Sequence, residues 1–315
     1  MIDRNLQIMK KILFIFIAFI AGYTLALAQQ APMYSQYMFN MLNVNPAYAG
    51  NRAVQNLTLL HRHQWVGFEG NPRTSSLSWD MRAEDSNNGF GAQIYNDQLG
   101  VENTTGIQGF YSYKIPFNNA SLALGLSAGL LNFTAAYTDV TTIQPNDPAF
   151  AENANTFLPT AGIGLLFASE KWYAGISIPA LLRTKDFLSE AEALVNKFGA
   201  TNHYFLTAGY VFEVNPNLAL KPSLLFKAVS GAPLQTDINI NAWWNQKWGA
   251  GASFRTGDAV VAMLEYQITN TIRLGYAFDY SISQLNAFNQ GTHEIMLRYE
   301  FDTSKAIRVL SPRYY

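Results

Sequence analysis

The chain has 315 residues, of which 49% are apolar and only 14% charged, and this composition excludes a disordered or collagen-like protein. The 21 Lys and Arg residues nearly balance the 22 Asp and Glu residues, so the net charge of −1 offers no basic surface for nucleic acid. The absence of cysteine excludes disulfide scaffolds, thiolate metal sites and cysteine nucleophiles.

The first 28 residues have the organisation of a signal peptide. Lys10 and Lys11 precede an unbroken apolar stretch over residues 12–20, which continues to Ala26-Leu27-Ala28, a motif typical of a cleavage site. A membrane-anchoring helix is the alternative, but the segment is short and ends in the cleavage motif. We therefore expect export with removal of residues 1–28, and no lipid anchor, because Gln29 rather than cysteine follows the site.

Residues 29–53 form an apolar and aromatic segment ahead of the first predicted strand. Its large side chains are those of Met33, Tyr34, Tyr37, Met38, Phe39, Met41 and Leu42. Asn45-Pro46 then ends any helix, because the residue before a proline disfavours the helical conformation. We expect the segment to pack inside or beneath the structure that follows, plugging its interior or docking a partner. The alternative is a segment that only leads into the first strand.

From residue 54 onward, apolar and polar residues alternate with a period of two, which indicates strands with one apolar face. Fourteen strands are predicted, at residues 54–65, 74–83, 89–96, 105–117, 121–134, 157–168, 172–180, 203–214, 217–229, 235–245, 247–255, 259–268, 271–281 and 292–301. Most are about 9 to 14 residues long, which suits tilted membrane strands better than strands of soluble sheets.

The connections between these strands differ by parity. Connections after even-numbered strands are short, whereas those after odd-numbered strands are mostly longer and include residues 135–156 and 181–202, with residues 256–258 as an exception. Aromatic residues flank the short turns, namely Phe117, Trp172, Phe212, Trp244, Trp248 and Phe301. This asymmetry is typical of an outer-membrane barrel with an aromatic girdle and both termini in the periplasm.

The predicted fold is therefore all-β, a transmembrane antiparallel β-barrel of about 14 strands behind an N-terminal signal peptide. The sheet must close, because an open edge in lipid would leave backbone amides unpaired. A secreted β-sandwich also alternates, but it would not explain strand length, girdle and loop parity together. The predicted organisation is a signal peptide (1–28), the aromatic-rich segment (29–53), the barrel (54–301) and a periplasmic tail (302–315).

Motifs that could carry chemistry have structural explanations. The residues Gly125 to Gly129 match the G-x-S-x-G nucleophile elbow, but they lie inside an alternating strand rather than at a strand-to-helix turn. Their small side chains would instead make room in the lumen. His61 and His63 lie two residues apart without a third ligand nearby, which favours a polar rim pair over a metal site. We expect no enzymatic activity, no metal and no cofactor.

The alternation places ionisable side chains in the lumen. They are Asp80, Arg82, Lys114, Lys221, Lys227, Asp237, Arg255, Glu265, Arg273, Asp279, Glu294, Arg298 and Glu300, seven cationic and six anionic. A balanced interior favours internal ion pairing over a selective ion pore.

Several segments resemble one known family. They are Gln36–Asn40, Asn45–Gly50, Arg62–Gly67, Asn96–Gly100, Gly275-Tyr276, Phe278–Tyr280, His293–Ile295 and the final Ser311–Tyr315. In this order they are similar to the PorP/SprF-like membrane proteins of the Bacteroidetes type IX secretion system, over essentially the whole mature chain. The motif positions carried over as structural or partner-binding are Tyr37, Asn40, Asn45, Pro46, Gly50, Arg62, Trp65, Asp97, Gly100, Asp279, His293 and Glu294.

The resemblance implies an outer-membrane component that supports export or cell-surface attachment of a partner adhesin, and gliding motility in gliding species. The implied partners are the secreted adhesin or its C-terminal signal, periplasmic secretion components and outer-membrane lipid. The loops at 135–156 and 181–202, or the lumen wall, would bind the adhesin. The alternative is a general or substrate-specific outer-membrane porin or transporter, which the aromatic N-terminal segment and the balanced lumen disfavour.

Overall fold

The computed structural model describes residues 33–52, 54–141, 147, 150–181, 202–229 and 232–301. The predicted signal peptide, the predicted C-terminal tail and nearly all of the predicted loop at 181–202 lie outside these residues. Within the described ranges, no helix is both long and apolar enough to cross a membrane.

Fourteen antiparallel strands are described, and they follow one another around a closed barrel. They are β1 (Asn56–His63), β2 (Arg73–Arg82), β3 (Asn88–Leu99), β4 (Glu102–Pro116), β5 (Ala120–Ala135), β6 (Ala154–Ser169), β7 (Trp172–Ile178), β8 (His203–Tyr210, continued by Phe212–Asn215), β9 (Leu218–Val229), β10 (Gln235–Trp244), β11 (Trp248–Arg255), β12 (Ala259–Gln267), β13 (Ile272–Ser281) and β14 (Thr292–Glu300). Both parts of β8 pair with β9, so they count as one strand.

The barrel closes where its first strand meets its last. β1 pairs with β14 in an unbroken antiparallel register from Asn56 opposite Glu300 to His63 opposite His293. Each remaining strand pairs with its neighbours in sequence. The predicted barrel and its strand number are confirmed, and the predicted strand ends differ from the observed ones by at most about three residues.

The two faces of the wall follow the predicted alternation. In β10, Asn239 and Asn241 point inward and are 2–3% exposed, whereas Ile238 and Ile240 point outward and are 52% exposed. Large apolar side chains cover the outer face around the barrel, including all six aromatic residues predicted for the girdle. An apolar outer band flanked by aromatic residues suits a protein surrounded by lipid.

The barrel has two different mouths. One, the short-turn mouth, carries the connections at residues 83–87, 117–119, 170–171, 216–217, 245–247 and 268–271. The other, the long-loop mouth, carries longer connections such as 64–72, 136–153 and 282–291. β3 and β4 extend farther than predicted and are joined at the long-loop mouth by Gly100 and Val101 alone. Gly100 takes the positive φ of 57° that this tight connection requires.

Candidate functional site

The N-terminal residues 33–52, called here the N-terminal segment, lie inside the barrel. They form three single 3-10 turns, Tyr37–Phe39, Met41–Asn43 and Pro46–Tyr48, and contain no strand. Nearly every residue of the segment is buried. Its polar contacts reach inward-facing residues or backbone groups of β1, β2, β3, β4, β6, β7, β10, β11, β13 and β14. The segment therefore occupies the lumen across its width.

The segment also runs along the barrel axis. Ser35 contacts Arg62 and Asp279, which lie close to the ends of β1 and β13 at the long-loop mouth. Arg52 pairs with Glu300, the last residue of β14, at the short-turn mouth, with 3.4 Å between Nη1 and Oε1. The segment thus passes from the long-loop mouth to the short-turn mouth before the chain enters β1.

A buried ionic cluster holds the first turn of the segment, and we call Ser35, Arg62, Asp279 and Glu294 the upper cluster. The two carboxylate oxygens of Glu294 accept hydrogen bonds from the consecutive backbone N–H groups of Ser35 (2.8 Å) and Gln36 (2.9 Å). The Ser35 hydroxyl donates to Asp279 Oδ2 (2.6 Å) and accepts from Arg62 Nη1 (2.8 Å). Glu294 and Asp279 therefore bind the segment directly.

Arg62 pairs with both of these carboxylates. Its Nη2 lies 2.8 Å from Asp279 Oδ2, and its Nη1 lies 3.1 Å from Glu294 Oε2. Arg255, paired with Asp237 at 3.2 Å, approaches Asp279 Oδ2 to 3.7 Å from the other side. All these side chains are at most 4% exposed. Because burying unpaired charge is costly, this mutual pairing is what allows the cluster to lie inside the barrel.

The Asn45-Pro46 turn is held by shape rather than by charge. The Asn45 side chain caps the Pro46–Tyr48 turn by accepting from Ala47 N (2.9 Å), and its Nδ2 donates to the carbonyl oxygen of Leu165 (3.0 Å). A proline at the first position of the turn has the φ angle that the turn needs. The asparagine and proline of this motif thus fix the turn against β6.

Glycines in the wall make the space for this turn. A Cβ added at Gly125 would collide with the backbone of Ala47, and one added at Gly164 would collide with the Asn45 side chain. Gly125 belongs to the stretch that matches the nucleophile elbow. In the structure that stretch is an ordinary part of β5, as the sequence predicted, and its first glycine is a contact surface for the segment.

At the short-turn mouth, backbone groups of the segment are bound by charged wall residues. Gly50 has a φ of 60°, donates to Asp80 Oδ2 (3.1 Å) and accepts from Arg82 Nε (3.2 Å). A side chain on Gly50 would strike the backbone of β2 and β3. The guanidinium group of the wall residue Arg298 donates to the carbonyl oxygen of Phe39, and so does that of Arg52 within the segment itself.

Apolar contacts fill the rest of the lumen. The cluster includes Tyr34, Tyr37, Met38 and Phe39 of the segment, packed against the wall residues Leu60, Trp243, Val261, Met263 and Met296. Phe39 and Trp243 make an edge-to-face contact with 6.2 Å between ring centroids. The Tyr37 hydroxyl accepts a hydrogen bond from Asn239 Nδ2 (2.7 Å).

The structure brings together eight of the twelve family-motif positions around the segment. Tyr37, Asn40, Asn45, Pro46 and Gly50 belong to it, and Arg62, Asp279 and Glu294 bind it. Asn40 donates to Ser78 Oγ (2.6 Å).

The other four positions lie apart from the segment. Trp65, with a φ of 51°, and Gly100 shape connections at the long-loop mouth. Asp97 accepts from Thr74 Oγ1 (2.6 Å), and His293 hydrogen bonds with the Tyr276 hydroxyl (2.7 Å) on the outer face.

Sequence reasoning missed the role of Ser35. It is a short polar residue directly before the first motif. Of the ionisable residues that face it, Asp279 and Glu294 were assigned to the lumen, whereas Arg62 was not.

The paired histidines make separate contacts. His61 hydrogen bonds with Ser75 Oγ, and His63 with Asn71 Nδ2. In the described part of the chain, no group of three potential His, Cys, Asp or Glu ligands is arranged to hold a metal ion.

Comparison with known proteins gives a family match over most of the chain. A family model described as the type IX secretion system membrane protein PorP/SprF matches residues 26–299. No curated protein matches.

Similar solved structures are barrels at low sequence identity. The outer membrane protein Omp33 of Acinetobacter baumannii is 11% identical, with a TM-score of 0.47 over 80% of this chain and 100% of that one. The toluene transporter TbuX of Ralstonia pickettii is 12% identical, with a TM-score of 0.47 over 89% of this chain and 95% of that one.

Proposed function

The chain belongs to the PorP/SprF family of type IX secretion system membrane proteins, and from that membership we propose that it supports the export or cell-surface attachment of a partner adhesin. In gliding species this role extends to motility. The proposed role is not enzymatic: the protein binds and positions its partner from within the outer membrane. The partner is a secreted adhesin or its C-terminal signal, assisted by periplasmic components of the secretion system.

The observation that carries this proposal is the occupied lumen. Residues 33–52 cross the barrel interior and are bound on all sides, by the upper cluster at one mouth and by Arg298 and Asp80 nearer the other. An open porin needs a continuous aqueous path, and a lumen filled by the chain's own residues does not offer one. A closed barrel is instead suited to serve as a scaffold in the membrane.

The proposed orientation places the short-turn mouth in the periplasm and the long-loop mouth at the cell surface, as in barrels with short periplasmic turns. The C-terminal end of β14 then faces the periplasm. A periplasmic N-terminus is also predicted, and the residues before Met33 lie outside the described part of the chain. Ser35 lies at the long-loop mouth, so we propose that the described segment begins on the surface side of the lumen.

The long-loop mouth is the proposed contact surface for the adhesin. The connections at 64–72 and 282–291 are joined by backbone hydrogen bonds from Val66 N to Gly291 O (2.9 Å) and from Gln290 N to Val66 O (2.7 Å). Gly100 N donates to Gly70 O (2.9 Å), which attaches a third connection. Loops fixed in this way lose little conformational entropy when a partner binds. The predicted contact loops at 135–156 and 181–202 would extend this surface.

Two measurements test the proposal. In cells that lack the protein, surface biotinylation is expected to lose a large adhesin, and expression of the wild-type chain is expected to restore it. In planar bilayers, the intact purified protein is expected to show no steady open channel. An unchanged set of surface proteins, together with a large steady conductance of the intact protein, would overturn the proposal in favour of a porin.

A further inference from the structure

The upper cluster recognises features that any short peptide can offer. Glu294 accepts from two consecutive backbone N–H groups, and Asp279 and Arg62 together bind one hydroxyl group. Arg255 Nη2 reaches the same hydroxyl at 3.5 Å. Carboxylates that accept backbone N–H groups form strong, charge-assisted hydrogen bonds. The chemistry required of the bound chain is therefore two adjacent amides and a small hydroxyl side chain.

The wall that supplies these groups is complete without the N-terminal segment. Arg62, Asp279 and Glu294 lie on β1, β13 and β14, and the pairing of β1 with both β2 and β14 and of β13 with β14 involves no residue of the segment. In the described ranges the segment forms no strand, and the chain contains no cysteine that could link it to the wall. The segment is thus related to the barrel as a bound peptide is to its receptor.

We propose that Arg62, Asp279 and Glu294 form a reversible peptide-recognition site, whose ligand is Ser35-Gln36 of the chain's own N-terminal segment. The site takes a turn-forming dipeptide unit with a hydroxyl residue first. Because the segment is covalently tethered, its effective concentration is high and the bound form predominates. One part of the inference rests on the proposed function, namely the orientation of the barrel, which makes the site accessible from the cell surface.

The test supplies the segment as a separate molecule. A variant lacking residues 33–44 is purified, its folding is checked by heat-dependent mobility on a denaturing gel, and its conductance is recorded in planar bilayers. A synthetic peptide of residues 33–44 is expected to block the opened lumen from the long-loop side in a saturable manner. A scrambled peptide is expected to block much more weakly.

Matched substitutions assign the block to the proposed site. A Ser35→Ala peptide, or a Glu294→Gln barrel, is expected to raise the peptide concentration needed for half block by about tenfold or more, because each removes a charge-assisted hydrogen bond. Glu265→Gln is the control, since Glu265 is also a buried wall carboxylate but binds Trp243 and Arg273 instead of Ser35. Equal block by native and scrambled peptides, or equal weakening by Glu265→Gln, would overturn the site.

A full-length variant keeps the inference testable if the shortened barrel does not fold. Full-length Glu294→Gln is expected to open transiently at least about tenfold more often than wild type, and Glu265→Gln is not. Equal opening frequencies would overturn the inference.

If the peptide fails to bind but adhesin display still requires the protein, only the recognition site is wrong. If the peptide binds but display does not require the protein, only the proposed function is wrong.

Discussion

Two turns of the buried N-terminal segment are held by different forces. At the first turn, Ser35 and Gln36, the wall contributes two carboxylates and a guanidinium, and most contacts are hydrogen bonds to charged groups. At the second turn, Asn45 and Pro46, the wall contributes glycines and carbonyl oxygens, and shape decides the fit. Binding of the first turn depends on which charges remain paired, whereas binding of the second depends on whether a methyl group is added to the wall. The two turns should therefore respond to different substitutions.

Because the chain contains no cysteine, a single introduced cysteine can measure how firmly the segment is bound. Met38 is 2% exposed, so a Met38→Cys variant reacts with a thiol reagent only when the segment leaves its place. The labelling rate of this parent variant reports the population of the undocked state. Each substitution below is added to this parent and measured in detergent micelles.

The largest effect is expected from Arg62→Met. This change leaves Asp279 and Glu294 buried, and among the described residues one cation then remains in an ion pair with them, Arg255 at 3.7 Å from Asp279. Removing one partner of a buried ionic cluster costs about 3–5 kcal/mol, so the labelling rate should rise by about a hundredfold or more. Arg73→Met is the control, because Arg73 is exposed at the same mouth. Labelling at the parent's rate would show that charge does not hold the first turn.

The upper cluster also shows what the sequence could and could not predict. Alternation placed Asp279 and Glu294 in the lumen correctly, because β13 and β14 have a clear apolar outer face. Arg62 was not among the predicted inward residues, although the family motif included it. In β1 the inward Leu60 is apolar because it packs on the segment, so the simple rule of an apolar outer face does not hold there. Arg62 can pair with Glu294 only because β1 closes against β14. The alternation within a single strand does not indicate which strands are neighbours.

The second turn is expected to give the next largest effect, with Gly164→Ala. A methyl group there would overlap the Asn45 side chain, and overpacking of this kind costs about 1–3 kcal/mol. The labelling rate should rise by between about 5-fold and 150-fold. Gly109→Ala is the matched control, because the nearest atom to its added Cβ, Ala128 O, is 3.9 Å away. If both variants behave alike, the effect belongs to strand glycines in general and not to the seat of the turn.

The glycine contacts could be anticipated only in part. The sequence assigned Gly125 to an inward position where small residues make room in the lumen, and its position in β5 agrees. It did not indicate that the room is used by Ala47, because contact between residues 47 and 125 depends on how the segment folds. Local pattern thus predicted the space but not what occupies it.

Asn45→Ala should have a smaller effect at the same turn. The change removes the cap on Ala47 N and the hydrogen bond to Leu165 O, which together are worth about 1–2 kcal/mol. The expected rise in the labelling rate is between about 5-fold and 30-fold. Asn118→Ala, in an exposed short turn, serves as the control. A larger effect than that of Gly164→Ala would mean that this turn is held mainly by hydrogen bonding and not by shape.

The smallest effect is expected between the two turns, from Tyr37→Phe. The ring stays buried, and only the hydroxyl that accepts from Asn239 Nδ2 is lost. Asn239 Nδ2 retains a longer contact with Ser223 O at 3.4 Å, so we expect a cost of about 1 kcal/mol and about fivefold faster labelling. Combining Tyr37→Phe with Asn239→Leu tests the pair, since the two effects should be less than additive if the hydrogen bond is real. Full additivity would show that the hydroxyl of Tyr37 does not hold the segment, and that this residue adds only apolar packing.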